Sequence, residues 1–208
     1  MGSTEFLKQE RRQQEIGARL AAGENLTSEE LAGFIDHTLL KPESKATQID
    51  ELCREAREHN FWSVCVNSVW VARAASNLQG VRVKVCSVVG FPLGAMDAEA
   101  KAFETSRAVA SGADEIDMVL NIGALKGGDT ESVEADIRGV LHACGDRAIL
   151  KAIIETALLT DEEKIQACKS AQKVGAQFVK TSTGFSHHGA TPQDVALMRG
   201  VVGDSMGV

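Results

Sequence analysis

The chain has 208 residues, 44% of them hydrophobic and 25% charged, which permits one domain with a sizeable core or two small ones. A net charge of −7 and an isoelectric point near 5.3 argue against nucleic acid or an anionic membrane surface as partner, but allow a local basic site for a small anion. Cys53, Cys65, Cys86, Cys144 and Cys168 form no Cys-x-x-Cys pair, so free thiols in a reducing cytoplasm are expected, with no disulfide framework, no zinc site, no secretory leader and no membrane span.

Residues 1–32 read as an N-terminal helical extension, with Met1–Phe6 fitting an expression remnant. Leu7–Ala22 is rich in Arg, Gln and Glu and reads as a surface helix; Gly23-Glu24-Asn25 breaks it. Thr27-Ser28-Glu29-Glu30 has the residues of a capped helical turn. From Gly33 onward a strand-then-helix unit repeats. Strands are expected at Phe34–Leu40, Trp62–Asn67, Val81–Val89, Glu115–Asn121, Ala148–Glu155 and Gln177–Thr181. Helices are expected at Thr47–His59, Val69–Leu78, Asp97–Ser111, Glu131–Cys144, from Thr160 or Asp161 to Val174, and from Pro192 to Val201. Such units call for a parallel sheet with helices outside. No Gly-x-Gly-x-x-Gly follows the first strand, so a Rossmann fold is unsupported. The expected class is α/β, a TIM-type barrel over residues 33–208. That barrel needs eight units, and six are present.

Alternation along each strand decides which side chains face the barrel interior. It puts Asp36 with Thr38, Ser63 with Cys65 and Asn67, Asp117 with Asn121, and Lys151 with Glu155. In Gln177-Phe178-Val179-Lys180-Thr181-Ser182-Thr183-Gly184, Phe178, Lys180 and Ser182 share one face. A lysine on a buried strand face loses hydration, and this pulls its pKa down toward a neutral, nucleophilic amine. The Thr-Ser-Thr-Gly that follows offers hydroxyls and a close-approach glycine for a small anion. The same residues also fit a strand-end lysine snorkelling to solvent before an ordinary turn. Three ionisable strands in a row favour the chemical reading: Lys180 as nucleophile, Asp117 as proton relay, Lys151 as compensating charge. His187-His188 reads as a surface loop, and Trp62 and Trp70 as packing residues.

Six motifs resemble the deoxyribose-phosphate aldolase family: Phe-Ile-Asp-His-Thr-Leu-Leu-Lys-Pro (34–42), Val-Cys-Val-Asn (64–67), Gly-Phe-Pro-Leu-Gly (90–94), Gly-Ala-Asp-Glu-Ile-Asp-Met-Val (112–119), Leu-Lys-Ala-Ile-Ile-Glu-Thr (150–156) and Phe-Val-Lys-Thr-Ser-Thr-Gly-Phe (178–185). The resemblance covers Gly33 to Val208. It implies Lys180 as the Schiff-base lysine, Asp117 as the acid/base aspartate, and Lys151 near the carbinolamine. It further implies Cys65 and Asp36 at the substrate, and Thr183 and Gly184 in the phosphate site. The implied reaction is reversible cleavage of 2-deoxy-D-ribose 5-phosphate to D-glyceraldehyde 3-phosphate and acetaldehyde, without metal or organic cofactor. In the family a seventh strand carries a second lysine and a phosphate-binding glycine pair. Here Met206-Gly207-Val208 are the last residues, so the resemblance implies a C-terminally truncated barrel. Two open sheet edges are then expected, and with them a homo-oligomer. The competing expectation is an incomplete barrel that no longer catalyses and persists as a self-associating or small-anion-binding protein.

Overall fold

The computed structural model describes residues 15–20 and 22–208, and the part of the expected first helix that falls on residues 1–14 and 21 lies outside them. Helix α1 (15–20) turns Ile16 inward and leaves its other side chains partly or fully exposed, as a surface helix should. Helix α2 (Ser28–Ala32) starts at the expected capping box, with Thr27 and Glu30 each satisfying the other's backbone N–H. A strand-and-helix alternation then follows. It runs β1 (Asp36–Leu39), α3 (Ala46–His59), β2 (Ser63–Val66), α4 (Val71–Asn77), β3 (Lys84–Val89), α5 (Ala98–Ala110) and β4 (Glu115–Val119). It continues through α6 (Ile122–Lys126), α7 (Thr130–Cys144), β5 (Ile149–Ile153), α8 (Asp161–Val174), β6 (Phe178–Lys180) and α9 (Pro192–Val202).

All six strands are parallel and lie in sequence order, β1-β2-β3-β4-β5-β6. Ile116 and Met118 on β4, Leu150 and Ala152 on β5, and Val179 on β6 belong to one apolar layer with the inner faces of the helices. Helix α3 contributes Ile49, Leu52, Cys53 and Ala56 to that layer, the spacing of a single helical face. The opposite face of the sheet is concave. Lys151 of β5 reaches Asp36 of β1 at 2.8 Å across 115 positions of sequence, which only a strongly curled sheet allows. The arrangement is six units of a TIM-type barrel, as expected.

Three local readings need correction. Strand β3 begins at Lys84, because its partner β2 begins at Ser63 and offers nothing for Val81–Val83 to pair with; Val81 is exposed. The short helix α6 was not expected. Asn121 starts it by accepting a hydrogen bond from the Ala124 N–H at 3.1 Å, so this side chain caps a helix and does not join Asp117 in the interior. Glu155 leaves β5 in a left-handed conformation (φ 55°), which turns it toward the loop after β6.

One of the two sheet edges, that of β6, also differs from expectation. Gly207 lies beside β6, donating to Gln177 O at 2.9 Å and accepting from the Val179 N–H at 3.1 Å. One edge is therefore partly paired. Among the described residues β1 has a ladder partner on one side only. No helix among them is long and apolar enough to cross a membrane.

Behind the sheet, Lys101 of α5 is fully buried, donating to Val119 O at 2.9 Å and to Asp136 of α7 at 2.6 Å. It ties two helices to the end of β4. Gly94, after β3, comes so close to Leu120 that an added Cβ would sit 1.9 Å from its carbonyl oxygen, at a φ of +69° that side chains rarely adopt. The loop after β3 is thus locked onto the end of β4, the strand that carries Asp117.

Candidate active site

The curled face holds a cluster of five charged side chains from four strands. Register sets Asp117 of β4 beside Lys151 of β5, while Lys180 stands two residues beyond Phe178, the partner of Lys151 on β6. The Lys180 ammonium donates to Asp117 Oδ2 at 2.6 Å and lies 3.9 Å from Asp36. Lys151 sits among three carboxylates, Glu115 at 2.6 Å, Asp36 at 2.8 Å and Asp117 at 3.5 Å. Ser63 Oγ donates to the second oxygen of Asp36 at 2.7 Å. The sequence-based set of Asp36, Asp117, Lys151 and Lys180 is therefore one constellation. Asp117 is wholly buried and Lys151 nearly so, whereas a third of the Lys180 side chain meets solvent, which leaves its amine approachable.

Electrostatics overturn one expectation. Burial does pull Lys180 down, and it is the largest single influence. The charge of Asp117, joined by Cys65 and Cys86, outweighs it and holds the amine above the ordinary lysine range. The Lys180 side chain therefore favours the ammonium form. Lys151 behaves alike, with burial opposed and overcome by Cys86, Asp117, Glu115 and Asp36. Asp117 is raised by burial but lowered further by Lys151 and Lys180, so it stays below the usual aspartate range. Glu115 goes the other way, because its desolvation exceeds the attraction of Lys151.

Glu115 was missed from sequence. Its position two residues before Asp117 puts it on the same strand face, and that alternation was the available signal. Trp62, read as packing only, donates its indole N–H to Glu115 Oε1 at 2.6 Å. Cys65 does face the interior, packed with Cys86 and Val88 against Leu40 and Phe91. Asn67 instead donates to Leu40 O at 3.2 Å, stapling two loops.

Beyond β6 the picture is mixed. Thr183 donates both its N–H and its hydroxyl to Glu155, and its oxygen accepts from the Phe185 N–H at 3.1 Å. Gly184 has a φ of +81° and open space where a Cβ would be. Ser182 Oγ is buried with no hydrogen-bond partner. His187 and His188 are exposed, as a surface loop requires.

Residues 31–207 match the family described as DeoC/LacD family aldolase. A deoxyribose-phosphate aldolase of Clostridium perfringens (strain SM101) is 58% identical over 183 residues, 88% of this chain and 82% of that protein. Another, of Streptococcus pneumoniae serotype 19F, is 62% identical over 175 residues, 84% of this chain and 79% of its own. Among solved structures, the tetrameric deoxyribose phosphate aldolase of Aeropyrum pernix superposes with a TM-score of 0.81 at 32% identity, covering 88% of this chain and 77% of that one. With a buried lysine–aspartate pair inside a parallel half-barrel and relatives this similar across the whole repeating region, the chain belongs to the DeoC/LacD family of aldolases.

Proposed function

We propose that this protein is a class I aldolase acting on 2-deoxy-D-ribose 5-phosphate, with Lys180 as its Schiff-base nucleophile. The observation that carries this reading is the 2.6 Å contact between Lys180 and Asp117, deep in a charged interior yet open on the lysine side. The Lys180 ammonium gives up a proton and its amine adds to the C1 aldehyde of the sugar. Loss of water from the carbinolamine leaves an iminium ion. The C2–C3 bond then breaks, its electron pair flowing to the iminium nitrogen, while Asp117 takes the proton of the C3 hydroxyl. D-glyceraldehyde 3-phosphate departs. The enamine is protonated at C2, and water releases acetaldehyde and Lys180. Lys151 favours the ionised form of Asp117 and bridges it to Asp36 and Glu115. Cys65 and Asp36 border the substrate, and Thr183, Gly184 and the unpartnered Ser182 hydroxyl form the phosphate end. Every step is proton transfer or covalent chemistry on Lys180, so the mechanism calls on no metal or organic cofactor.

Borohydride added with acetaldehyde is expected to leave a single ethyl group on Lys180, located by peptide mass mapping. Only the free amine attacks, and Lys180 is held above its ordinary range, so the trapping rate should rise about tenfold per pH unit from pH 7 to 9. Modification spread over surface lysines with Lys180 untouched would sink the assignment. A pH-independent rate would mean that Asp117 does not hold the proton on Lys180.

The second reading, an inactive barrel that binds small anions or itself, draws support from Thr183, whose donors are taken by Glu155, and from the single-sided pairing of β1. Self-association is compatible with both readings, and the Aeropyrum pernix relative is a tetramer. An unpaired strand edge with a few hundred Å² of apolar surface costs on the order of 5–10 kcal/mol, comparable to the stability of a domain. The 208-residue chain is therefore expected to run as a dimer or larger in size exclusion coupled to light scattering. A cooperative monomer at micromolar concentration would refute this.

A further inference from the structure

Cys65 and Cys86 stand directly opposite each other in the register of β2 and β3, and both side chains turn into the curled face. Neither is in a disulfide, and each is at most 1% exposed. The two sulfurs and a carboxylate oxygen of Asp117 all lie within 4.8 Å of one another. Asp117 Oδ1 is buried and makes no close hydrogen bond, the Lys151 ammonium standing off at 3.5 Å. A cation bonded at about 2.3 Å to sulfur and 2.0 Å to oxygen holds its ligands within about 4 Å of each other, a small inward rotation from this geometry.

We propose that Cys65, Cys86 and Asp117 form a binding site for a thiophilic divalent cation of the zinc and cadmium class, and that its occupancy shuts the catalytic centre. Two sulfur donors select such ions over magnesium or calcium, which require all-oxygen surroundings. On binding, each thiol loses its proton to solvent and forms a metal–sulfur bond. Asp117 supplies a third bond, and the fourth position stays with water. Nothing is oxidised or reduced. Two positive charges enter as two protons leave, so the local charge is conserved. Three carboxylates (Asp36, Glu115, Asp117) share the pocket with two ammonium groups (Lys151, Lys180), so an entering cation must compete with Lys180 for Asp117. Entry lies past Lys180, the exposed member of the cluster. A cation held there takes from Lys180 the carboxylate it is paired with. The site exists whether or not Lys180 is a nucleophile, so its test stands apart from that of the aldolase reading.

The full 208-residue protein, reduced and metal-free, is titrated with Cd²⁺ while thiolate-to-cadmium charge-transfer absorption is followed in the ultraviolet. One Cd²⁺ per chain is expected, insensitive to excess Mg²⁺. Cys65→Ser and Cys86→Ser should each weaken binding by about 100-fold or more, since even outer-sphere partners of a metal are worth 10–100-fold. Cys144→Ala, a change on α7 behind the sheet, should leave it intact. Cadmium NMR on the unmutated protein counts the sulfur ligands without relying on any variant's folding. Two sulfurs uphold the site; no band, a different sulfur count, or a band that survives Cys86→Ser overturns it. Borohydride trapping at Lys180 should fall in step with occupancy, and full trapping in the cadmium-loaded protein would overturn the inhibitory part.

Discussion

Replacing Asp117 with Asn is expected to lower the rate of deoxyribose 5-phosphate cleavage by about 10²–10⁴-fold, the usual loss when a positioned proton relay is removed. The side chains are nearly isosteric, so the fold should survive. What changes is charge. Asp117 is the foremost of the charges that raise Lys180, and without it burial prevails and the amine loses its proton more readily. The pH at which trapping on Lys180 reaches half its maximum should therefore shift down while turnover falls. A purely structural aspartate would move neither quantity in that pattern. Unchanged turnover, or loss of turnover with an unshifted trapping profile, would remove Asp117 from the proton-relay role.

Lys151→Met should produce the largest loss of stability at the site. Lys151 is the cation on which Glu115, Asp36 and Asp117 converge, and Glu115 and Asp117 are almost wholly excluded from water. Removing one partner from a buried ionic group typically costs about 3–5 kcal/mol, because the charge left behind is neither paired nor hydrated. The deficit should depend on pH with a definite sign. Burial already holds Glu115 above its ordinary range, and a raised acid gives stability that is full below its unfolded pKa and lost as pH rises through its folded one. The variant should thus recover part of its stability as pH falls toward the ordinary carboxylate range. The double variant Lys151→Met with Glu115→Gln should recover part of it at neutral pH. Denaturant midpoints at two pH values measure both effects; a deficit of equal size at both would dismiss the charge argument.

The features legible in sequence were those that depend on near neighbours. Alternation within Glu115–Val119, Ile149–Ile153 and Phe178–Lys180 sufficed to aim Asp117, Lys151 and Lys180 inward, because strand periodicity is local. The capped start at Thr27 and the cap at Thr160 or Asp161 were legible for the same reason, and the structure uses Thr27 and Thr160. What escaped depended on register between strands. Cys65 and Cys86 are 21 positions apart with no motif joining them, and only the β2–β3 ladder sets them side by side. Trp62 reaches Glu115 across β3, again a matter of barrel curl. The sign of the Lys180 shift was inaccessible for a related reason: sequence reveals burial, whereas the partner at 2.6 Å comes from a strand 63 positions away.

The link between Lys151 and Asp36 bears on the order in which the protein becomes competent. Its two ends are 115 positions apart, and the pair from Lys180 to Asp117 adds a second long closure. During synthesis the first four units emerge with Asp36, Glu115 and Asp117 already made and neither lysine yet available. The nascent half-barrel carries three inward carboxylates and no inward cation from this cluster. Local helices form in such a chain ahead of its long-range contacts. Its concave face stays hydrated until β5 delivers Lys151, and chemistry must wait for β6. Charge balance thus arrives from the later part of the chain, and a released fragment ending between β4 and β5 is expected to gain stability from acid and salt where the finished protein does not.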